Sequence, residues 1–122
     1  MAFGIGIVGA GAIARVHAQG IADAGGAVVG FCDVDIDKAN EAASTFGATA
    51  WSDTDEMFGS EAVTAVVIAV PNALHAPLAI AALEAGNDVL LEKPMAMNVQ
   101  ECQAVLDARD RSGRVLQVGF VC

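Results

Sequence analysis

The stretch that decides the fold is IVGAGAIA, residues 7–14. It closes an apolar run, predicted as a strand over Phe3–Val8, and leads into a predicted helix over Ala12–Ala24. Gly9 and Gly11 begin the pattern G-x-G-x-x-A, in which the first glycine permits a tight turn and the second lets the backbone approach a pyrophosphate. The stretch alone leaves two explanations open: a purely structural turn, or a dinucleotide seated on the amino end of the helix.

The composition narrows the class of protein. The chain has 122 residues, enough for one compact domain, and 55% of them are hydrophobic, which favours strands buried on both faces. Fifteen acidic residues against six basic ones give a formal net charge of −9. Such a charge argues against a nucleic-acid partner, because affinity for nucleic acid depends on basic contacts to phosphate.

The sequence also indicates the compartment. The longest apolar stretch, residues 62–70, is shorter than the about 20 residues that a membrane-spanning helix needs. The first residues lack the basic leader of a signal peptide. Three scattered cysteines, Cys32, Cys102 and Cys122, form no CxxC pair, so we expect a reduced, cytoplasmic protein with Cys32 and Cys102 as small core residues.

Strand-like and helix-like segments alternate along the whole chain. The predicted strands are Phe3–Val8, Ala27–Cys32, Thr49–Trp51, Ala65–Val70, Asp88–Leu91 and Val115–Gly119. The predicted helices are Ala12–Ala24, Ile36–Phe46, Asp53–Phe58, Ala76–Ala85 and Asn98–Ser112, the last with Val99, Cys102, Val105 and Leu106 on one apolar face. Short connections and apolar strands predict an α/β domain over residues 1–122, with a doubly wound, mainly parallel sheet of about six strands and helices on both faces.

An acidic residue follows the second predicted strand. Asp33 lies about 20 residues after the glycine pattern, where a carboxylate accepts the two ribose hydroxyls of an adenosine in dinucleotide-binding folds. The alternative is a solvated turn residue or a helix cap. A carboxylate at this point repels a 2′-phosphate, and the next residue is Val34 rather than an arginine. The sequence therefore favours NAD over NADP.

Two further polar stretches follow predicted strands. VPNALH, residues 70–75, comes after the fourth strand, and Glu92-Lys93-Pro94 comes after the fifth. In doubly wound folds, ligands bind beyond the carboxyl ends of the strands. Lys93 could be an ordinary surface lysine. However, it directly follows a predicted buried strand and so is expected at that edge, where the negative charge of Glu92 could hold its ammonium group in place.

These stretches carry a family resemblance. GIVGAGAIARVH at residues 6–17, VPNALHAPLAIAALEAGNDVLLEKPMA at 70–96 and QVGF at 117–120 are similar to the N-terminal domain of the glucose–fructose oxidoreductase / inositol dehydrogenase / MocA family. The resemblance covers essentially the whole chain. It implies a Rossmann domain followed by a larger α/β domain, and hydride transfer between NAD(P) and a hydroxyl carbon of a sugar, inositol or related polyol.

The resemblance also implies roles for individual residues. It gives Gly9, Gly11 and the amides of Ala12 and Ile13 to the pyrophosphate, Asp33 to the adenosine ribose, Val70, Pro71, Asn72 and His75 to the neighbourhood of the nicotinamide ribose, and Glu92 and Lys93 to the nicotinamide and substrate side. Lys93 is the expected catalytic residue, and the Lys93–Pro94 bond is expected to be cis. His17 matches a histidine of the family, for which a structural hydrogen bond is at least as good an explanation as a cofactor contact.

The chain ends at residue 122, before the second domain that the family resemblance implies. The chain is then either a fragment or a naturally short protein. We expect it to bind a dinucleotide but to turn over little substrate, with an apolar surface that could support self-association. Two other functions stay open from the sequence. One is a non-enzymatic dinucleotide sensor, which needs Asp33 and the glycines but not Lys93. The other is an S-adenosylmethionine-binding fold, which also has a glycine turn and an acidic residue after its second strand.

Overall fold

The computed structural model describes residues 4–92 and 96–119. The strands in these residues are β1 (Gly4–Val8), β2 (Ala27–Cys32), β3 (Thr49–Trp51), β4 (Ala65–Ile68), β5 (Asp88–Glu92) and β6 (Leu116–Gly119). The helices are α1 (Ala12–Asp23), α2 (Ile36–Phe46), α3 (Thr54–Phe58), a 3-10 turn (Asn72–Leu74), α4 (His75–Glu84) and α5 (Val99–Ser112). Among these helices, none is long and apolar enough to cross a membrane.

The strands form one parallel sheet in the order β3-β2-β1-β4-β5-β6. The chain starts in the middle of the sheet, builds outward through β2 and β3, then crosses over to β4 and builds in the other direction. This order is the doubly wound one, in which a crevice opens beyond the carboxyl ends of β1 and β4. The predicted α/β fold with a parallel sheet is confirmed.

Helices cover both faces of the sheet, as predicted. On one face Ala14 and Ala18 of α1 join the buried cluster that contains Ile7 and Phe31 of the central strands. The other face carries the larger cluster, to which α3, α4 and α5 contribute. Alanines at the helix contacts let the helix backbones approach the sheet closely. Because α1 follows β1 and α4 follows β4 through short loops, the amino ends of both helices lie at the carboxyl edge of the sheet.

Local signals in the sequence determine where the first two helices begin and end. After α1, Gly25 adopts φ +85° and the Gly26 amide donates to the Ile21 carbonyl at 2.8 Å, which is the Schellman arrangement that paired glycines after a helix favour. The Asp35 carboxylate accepts from the Asp37 amide at 3.1 Å and so caps α2, as an aspartate directly before a helix commonly does.

The loop after β4 differs from the prediction. β4 ends at Ile68 instead of Val70, because its neighbour β1 ends at Val8, opposite Ile68, and the chain then turns away at Gly9. The Ala69 amide still donates to the Val8 carbonyl at 2.9 Å. A 3-10 turn over Asn72–Leu74, which was not predicted, follows, and α4 begins at His75 rather than at residue 76. The chain therefore leaves the sheet here, at the edge where ligands bind in such folds.

Two predictions about α5 are wrong. Val99, expected on the apolar face, is 83% exposed, and Cys102 is half-buried instead of a core residue. The helix packs against α4 through a face centred on Val105 and Ala108, both 0% exposed. Val99 is the first helical residue and lies on a different side, so the apolar spacing in the sequence overestimated the width of the buried face. Cys32 is buried as predicted, and Cys122 lies outside the described residues.

Candidate functional site

Gly9 is required by the fold itself. Its φ is +105°, a conformation that side chains rarely adopt, and a Cβ built there would collide with the Ala69 carbonyl oxygen. Its amide is also engaged, because it donates to the Cys32 carbonyl at 2.7 Å. Gly9 thus turns the chain sharply out of β1 while keeping it against β2 and the residues after β4.

Gly11 differs from Gly9, because nothing in the fold requires a glycine there. It is the N-cap residue of α1 with φ −85°, it is exposed, and a Cβ built on it meets no atom within 4 Å. The first amides of a helix, here including those of Ala12 and Ile13, have no acceptor within the helix, and Gly11 has no side chain that could supply a capping oxygen. Open space in front of uncapped amides at a helix amino end fits a phosphate group, which supplies the missing acceptors.

Asp33 is held beside this turn. Its Oδ2 accepts from the Ala10 amide at 3.1 Å and its Oδ1 from the Asp35 amide at 2.9 Å. The carboxylate is half-buried, so its position is fixed while one side stays open to solvent. Each carboxylate oxygen has a second lone pair, so both retain the capacity to accept a ribose hydroxyl. The turn and the carboxylate, 23 residues apart in sequence, therefore form one structural unit.

A cleft of about 700 Å³ opens at the carboxyl edge of the sheet, between the ends of β1, β2, β3 and β4. It brings together four of the residues predicted from the sequence: Gly9, Asp33, Val70 and Pro71. The other lining residues are Val8, Cys32, Val34, Ser52, Asp53, Thr54, Leu74, Pro77 and Leu78, which were not predicted as part of the site. The topology could have indicated Ser52 and Asp53, since β3 lies next to β2 and ends at the same edge.

Much of the cleft is apolar, and part of this surface is exposed to solvent. Val34 is 95% exposed and Leu74 is 48% exposed, although both are large hydrophobic residues. Val70 and Leu78, which also line the cleft, are half-buried. An apolar slot beside a fixed carboxylate is the combination that binding sites for planar organic groups carrying hydroxyls commonly show.

His75 lies behind the cleft rather than in its lining. Its side chain is 1% exposed, and Nε2 lies 2.9 Å from the Val70 carbonyl oxygen. Because a carbonyl only accepts, Nε2 carries the proton and donates it. The ring thus ties α4 to the start of the loop over residues 70–74. Its predicted place near a nicotinamide ribose stays a prediction, as does that of Asn72, which is exposed on the 3-10 turn.

The remaining predicted residues follow β5 or lie on α1. β5 extends to Glu92, one residue further than predicted, and pairs there with Gly119 of β6, so position 92 lies at the carboxyl edge of the sheet. Lys93 and Pro94 lie outside the described residues, and their predicted roles stay predictions. His17 is half-buried on α1, and its role likewise stays open.

The electrostatics at the base of the cleft disfavour an ionised thiol. Burial raises the pKa of the Cys32 thiol from 9.0 to about 11. The negative charges of Asp33, Asp53 and Glu56 raise it as well, in that order of importance. Cys32 is therefore a neutral side chain at neutral pH and is unsuited to act as a nucleophile, which requires the thiolate.

Comparison with known proteins agrees with this geometry. The profile of the oxidoreductase family with an NAD-binding Rossmann fold, GFO_IDH_MocA, matches residues 3–120. An uncharacterized oxidoreductase of Rhizobium meliloti is 41% identical over 115 residues, covering 92% of this chain and 34% of its own length. The inositol 2-dehydrogenase of Salmonella typhimurium is 35% identical over 121 residues, covering 95% of this chain and 36% of the enzyme.

Solved structures give the same result. The crystal structure of the WlbA dehydrogenase of Bordetella pertussis, in complex with NADH and UDP-GlcNAcA, superposes with a TM-score of 0.92 at 31% identity, covering 98% of this chain and 37% of that one. The chain thus spans about a third of the length of the curated relatives it matches. On the evidence of the profile, the identities and the fold, the chain belongs to the GFO_IDH_MocA family of oxidoreductases with an NAD-binding Rossmann fold.

Proposed function

We propose that this chain binds NAD as the cofactor-binding part of an oxidoreductase that acts on a secondary alcohol carbon of a sugar, inositol or similar polyol. The observation that carries the proposal is the hydrogen bond from the Ala10 amide to the Asp33 carboxylate, since it joins the two halves of a dinucleotide site. The substrate class is supported by relatives named inositol 2-dehydrogenase and by the sugar nucleotide in the complex of the WlbA dehydrogenase.

The glycine turn would hold the pyrophosphate. The amides of Ala12 and Ile13 would donate to its oxygens, and the absence of a side chain at Gly11 would let the phosphates come within hydrogen-bonding distance of the backbone. The partial positive charge at the amino end of α1 would favour the two negative charges. The positively charged side chains Arg15 and Lys38 are not needed for this, because backbone groups supply the donors.

Asp33 would accept the hydroxyls of the adenosine ribose. Its two amide partners fix the carboxylate before any ligand arrives, so little conformational freedom is lost on binding. A 2′-phosphate in the same place would meet that negative charge, and the neighbouring Val34 offers no compensating cation. These features support NAD rather than NADP as the cofactor.

The loop after β4 and the residues after β5 would flank the reactive end of the cofactor. Bound NAD supplies the carbon that accepts or donates a hydride. In this proposal Pro71 and Asn72 lie beside the nicotinamide ribose, and His75 holds their loop in position through the Val70 carbonyl. Lys93, following Glu92, would hold or remove the proton of the substrate hydroxyl, the role that the family resemblance assigns to it.

Titration of NAD and NADP into the purified chain tests the proposal. Binding is measured by calorimetry, and independently by energy transfer to NADH from Trp51, the single tryptophan, in β3 beside the cleft. Asp33→Asn removes the charge but keeps one acceptor for the two amides. Loss of charge-assisted bonds to ribose predicts a roughly tenfold or larger loss of NAD affinity.

Asp35→Asn is the matched control. It removes the same charge two residues away and retains the oxygen that caps α2. We expect it to change NAD affinity by no more than about twofold, as for other exposed charges. If a chain that is folded by circular dichroism binds neither dinucleotide, or if Asp33→Asn binds NAD as tightly as the control variant, the proposed function is wrong.

A further inference from the structure

A second carboxylate lies on the wall of the cleft opposite the glycine turn. β2 and β3 pair in parallel with Cys32 opposite Trp51, and the Asp33 amide donates to the Trp51 carbonyl at 3.1 Å. This contact continues the pairing past the ends of both strands. It sets the residues that follow Trp51 alongside Asp33, so Asp33 and Asp53 line the same cleft.

The Asp53 carboxylate is held in place. Its Oδ1 accepts from the Asp55 amide at 2.9 Å, which makes Asp53 the N-cap of α3. This contact engages only one of the two carboxylate oxygens. Asp53 can therefore cap α3 and still present its negative charge to the cleft. Asp33, Asp53 and Cys32 all line the cleft. The negative charges of both carboxylates raise the pKa of the buried Cys32 thiol.

Within residues 4–92 and 96–119, the basic side chains lie away from these two charges or are engaged elsewhere. Arg109, Arg111 and Arg114 lie at the carboxyl end of α5 and the start of β6, at the opposite edge of the sheet. At the cleft edge, Arg15 forms an ion pair with Glu41 at 3.4 Å. Lys38, in the first turn of α2, is the basic residue nearest in sequence to Asp33, and it follows the acidic Asp37 of the same turn. Among the described residues, no basic side chain lines the cleft.

We propose that Asp53 is a second specificity-determining residue, which acts with Asp33 to select NAD against NADP. The proposal rests on the function proposed above, since it assumes that the cleft binds the adenosine half of a dinucleotide. A ribose 2′-hydroxyl is neutral and loses little beside two carboxylates. A 2′-phosphate carries between about 1.5 and 2 negative charges at neutral pH, so both carboxylates repel it.

The magnitude follows from the setting of the two charges. The cleft is open to solvent, so the interaction is weaker than in a buried site, and salt screens it over a Debye length of about 10 Å at 0.1 M. Removing the charge of Asp53 should therefore tighten NADP binding by about threefold to tenfold and leave NAD binding nearly unchanged. At 1 M salt, where the Debye length falls to about 3 Å, most of this difference should disappear.

Asp53→Asn provides the test, because asparagine caps a helix as well as aspartate does. Asp55→Asn is the control: it removes the same charge from the same helix, and residue 55 does not line the cleft. Dissociation constants for NAD and NADP are measured by calorimetry on the wild-type chain and both variants, at 0.1 M and 1 M salt. We expect the ratio of the NADP to the NAD dissociation constant to fall for Asp53→Asn by about threefold to tenfold more than for Asp55→Asn.

The outcomes distinguish this inference from the function on which it rests. If the wild-type chain binds NAD while Asp53→Asn changes the ratio no more than Asp55→Asn, Asp53 does not select the cofactor and the proposed function stands. If a gain in NADP affinity persists unchanged at 1 M salt, the cause is not charge repulsion and the inference is also overturned. If the folded wild-type chain binds neither dinucleotide, both fail. Asp53→Ser, which keeps a capping oxygen, replaces Asp53→Asn if that variant does not fold.

Discussion

Gly11 offers the sharpest test of the dinucleotide site, because the substitution Gly11→Ser should change stability and binding in opposite directions. The backbone there, φ −85° and ψ −166°, suits any residue, and the added Cβ enters open space. The serine hydroxyl would accept from an amide of the first turn of α1 and so cap the helix. Serine exceeds glycine as a cap by only a few tenths of a kcal/mol, so the unfolding temperature should rise by about 1–3 °C.

The same hydroxyl would occupy the place proposed for the pyrophosphate and would use one of its donors. Loss of one charge-assisted hydrogen bond costs about 1.5–3 kcal/mol, which corresponds to a roughly 10- to 150-fold weaker affinity for NAD. Affinity is measured by calorimetry and by energy transfer from Trp51 to NADH, and stability by thermal unfolding followed by circular dichroism.

Gly20→Ala is the matched control for Gly11→Ser. Gly20 lies on the same helix, is exposed, and has open space where a Cβ would be added. Alanine there should stabilise α1 by about 0.5–1 kcal/mol and leave NAD affinity unchanged. If Gly11→Ser binds NAD within about twofold of the control variant, well below the cost of one such bond, no phosphate lies against Gly11 and the glycine is only part of a turn.

Three further predictions concern stability and are measured by urea unfolding. Gly9→Ala combines an unfavourable φ with a collision against Ala69, so it should cost about 3 kcal/mol, and a loss below about 1 kcal/mol would contradict the argument. Asn87 is 2% exposed and donates to the Phe58 carbonyl at 3.0 Å, so Asn87→Ala should cost about 1–3 kcal/mol; an unchanged midpoint would mean that the carbonyl finds another donor. The folded-state pKa of the Cys32 thiol, about 11, exceeds its unfolded value of 9.0, so the folded state holds the proton longer. The free energy of unfolding of the wild-type chain should then fall as pH rises from 9 to 11, by up to about 1.4 kcal/mol per pH unit more than that of a Cys32→Ala variant. A difference between the two chains that does not change with pH would contradict the argument.

Features set by neighbours along the chain could be predicted from the sequence. The paired glycines at 25 and 26 end α1, and Asp35 caps α2, because these effects act within a few residues. The glycine pattern and Asp33 were also predicted. Their interpretation as a dinucleotide site depends only on the order of strand, turn, helix and strand. The alternation of apolar segments in the sequence predicts that order.

Features set by partners distant in sequence could not be predicted. β4 stops at Ile68 because β1 ends opposite it, and nothing in the apolar run 65–70 marks that point. His75 resembles a ligand-facing residue in sequence, yet the packing of α4 buries it against the Val70 carbonyl. Asp53 reads as a helix cap, which it is, and only the pairing of β3 with β2 reveals that it also lines the cleft.

The site residues thus divide by whether the folded chain requires them. Gly9 and His75 have conformations or contacts that the fold needs, so their presence does not by itself indicate a ligand. Gly11 and Val34 have no conformation or contact that the fold needs. Gly11 leaves helix amides uncapped, and Val34 exposes 95% of an apolar side chain. Each lowers the stability of the isolated chain slightly relative to an obvious replacement, a serine cap or a polar side chain. A ligand that supplies acceptors to the amides and covers the valine compensates for both at once, and a dinucleotide bound across the turn and Asp33 has the groups to do so.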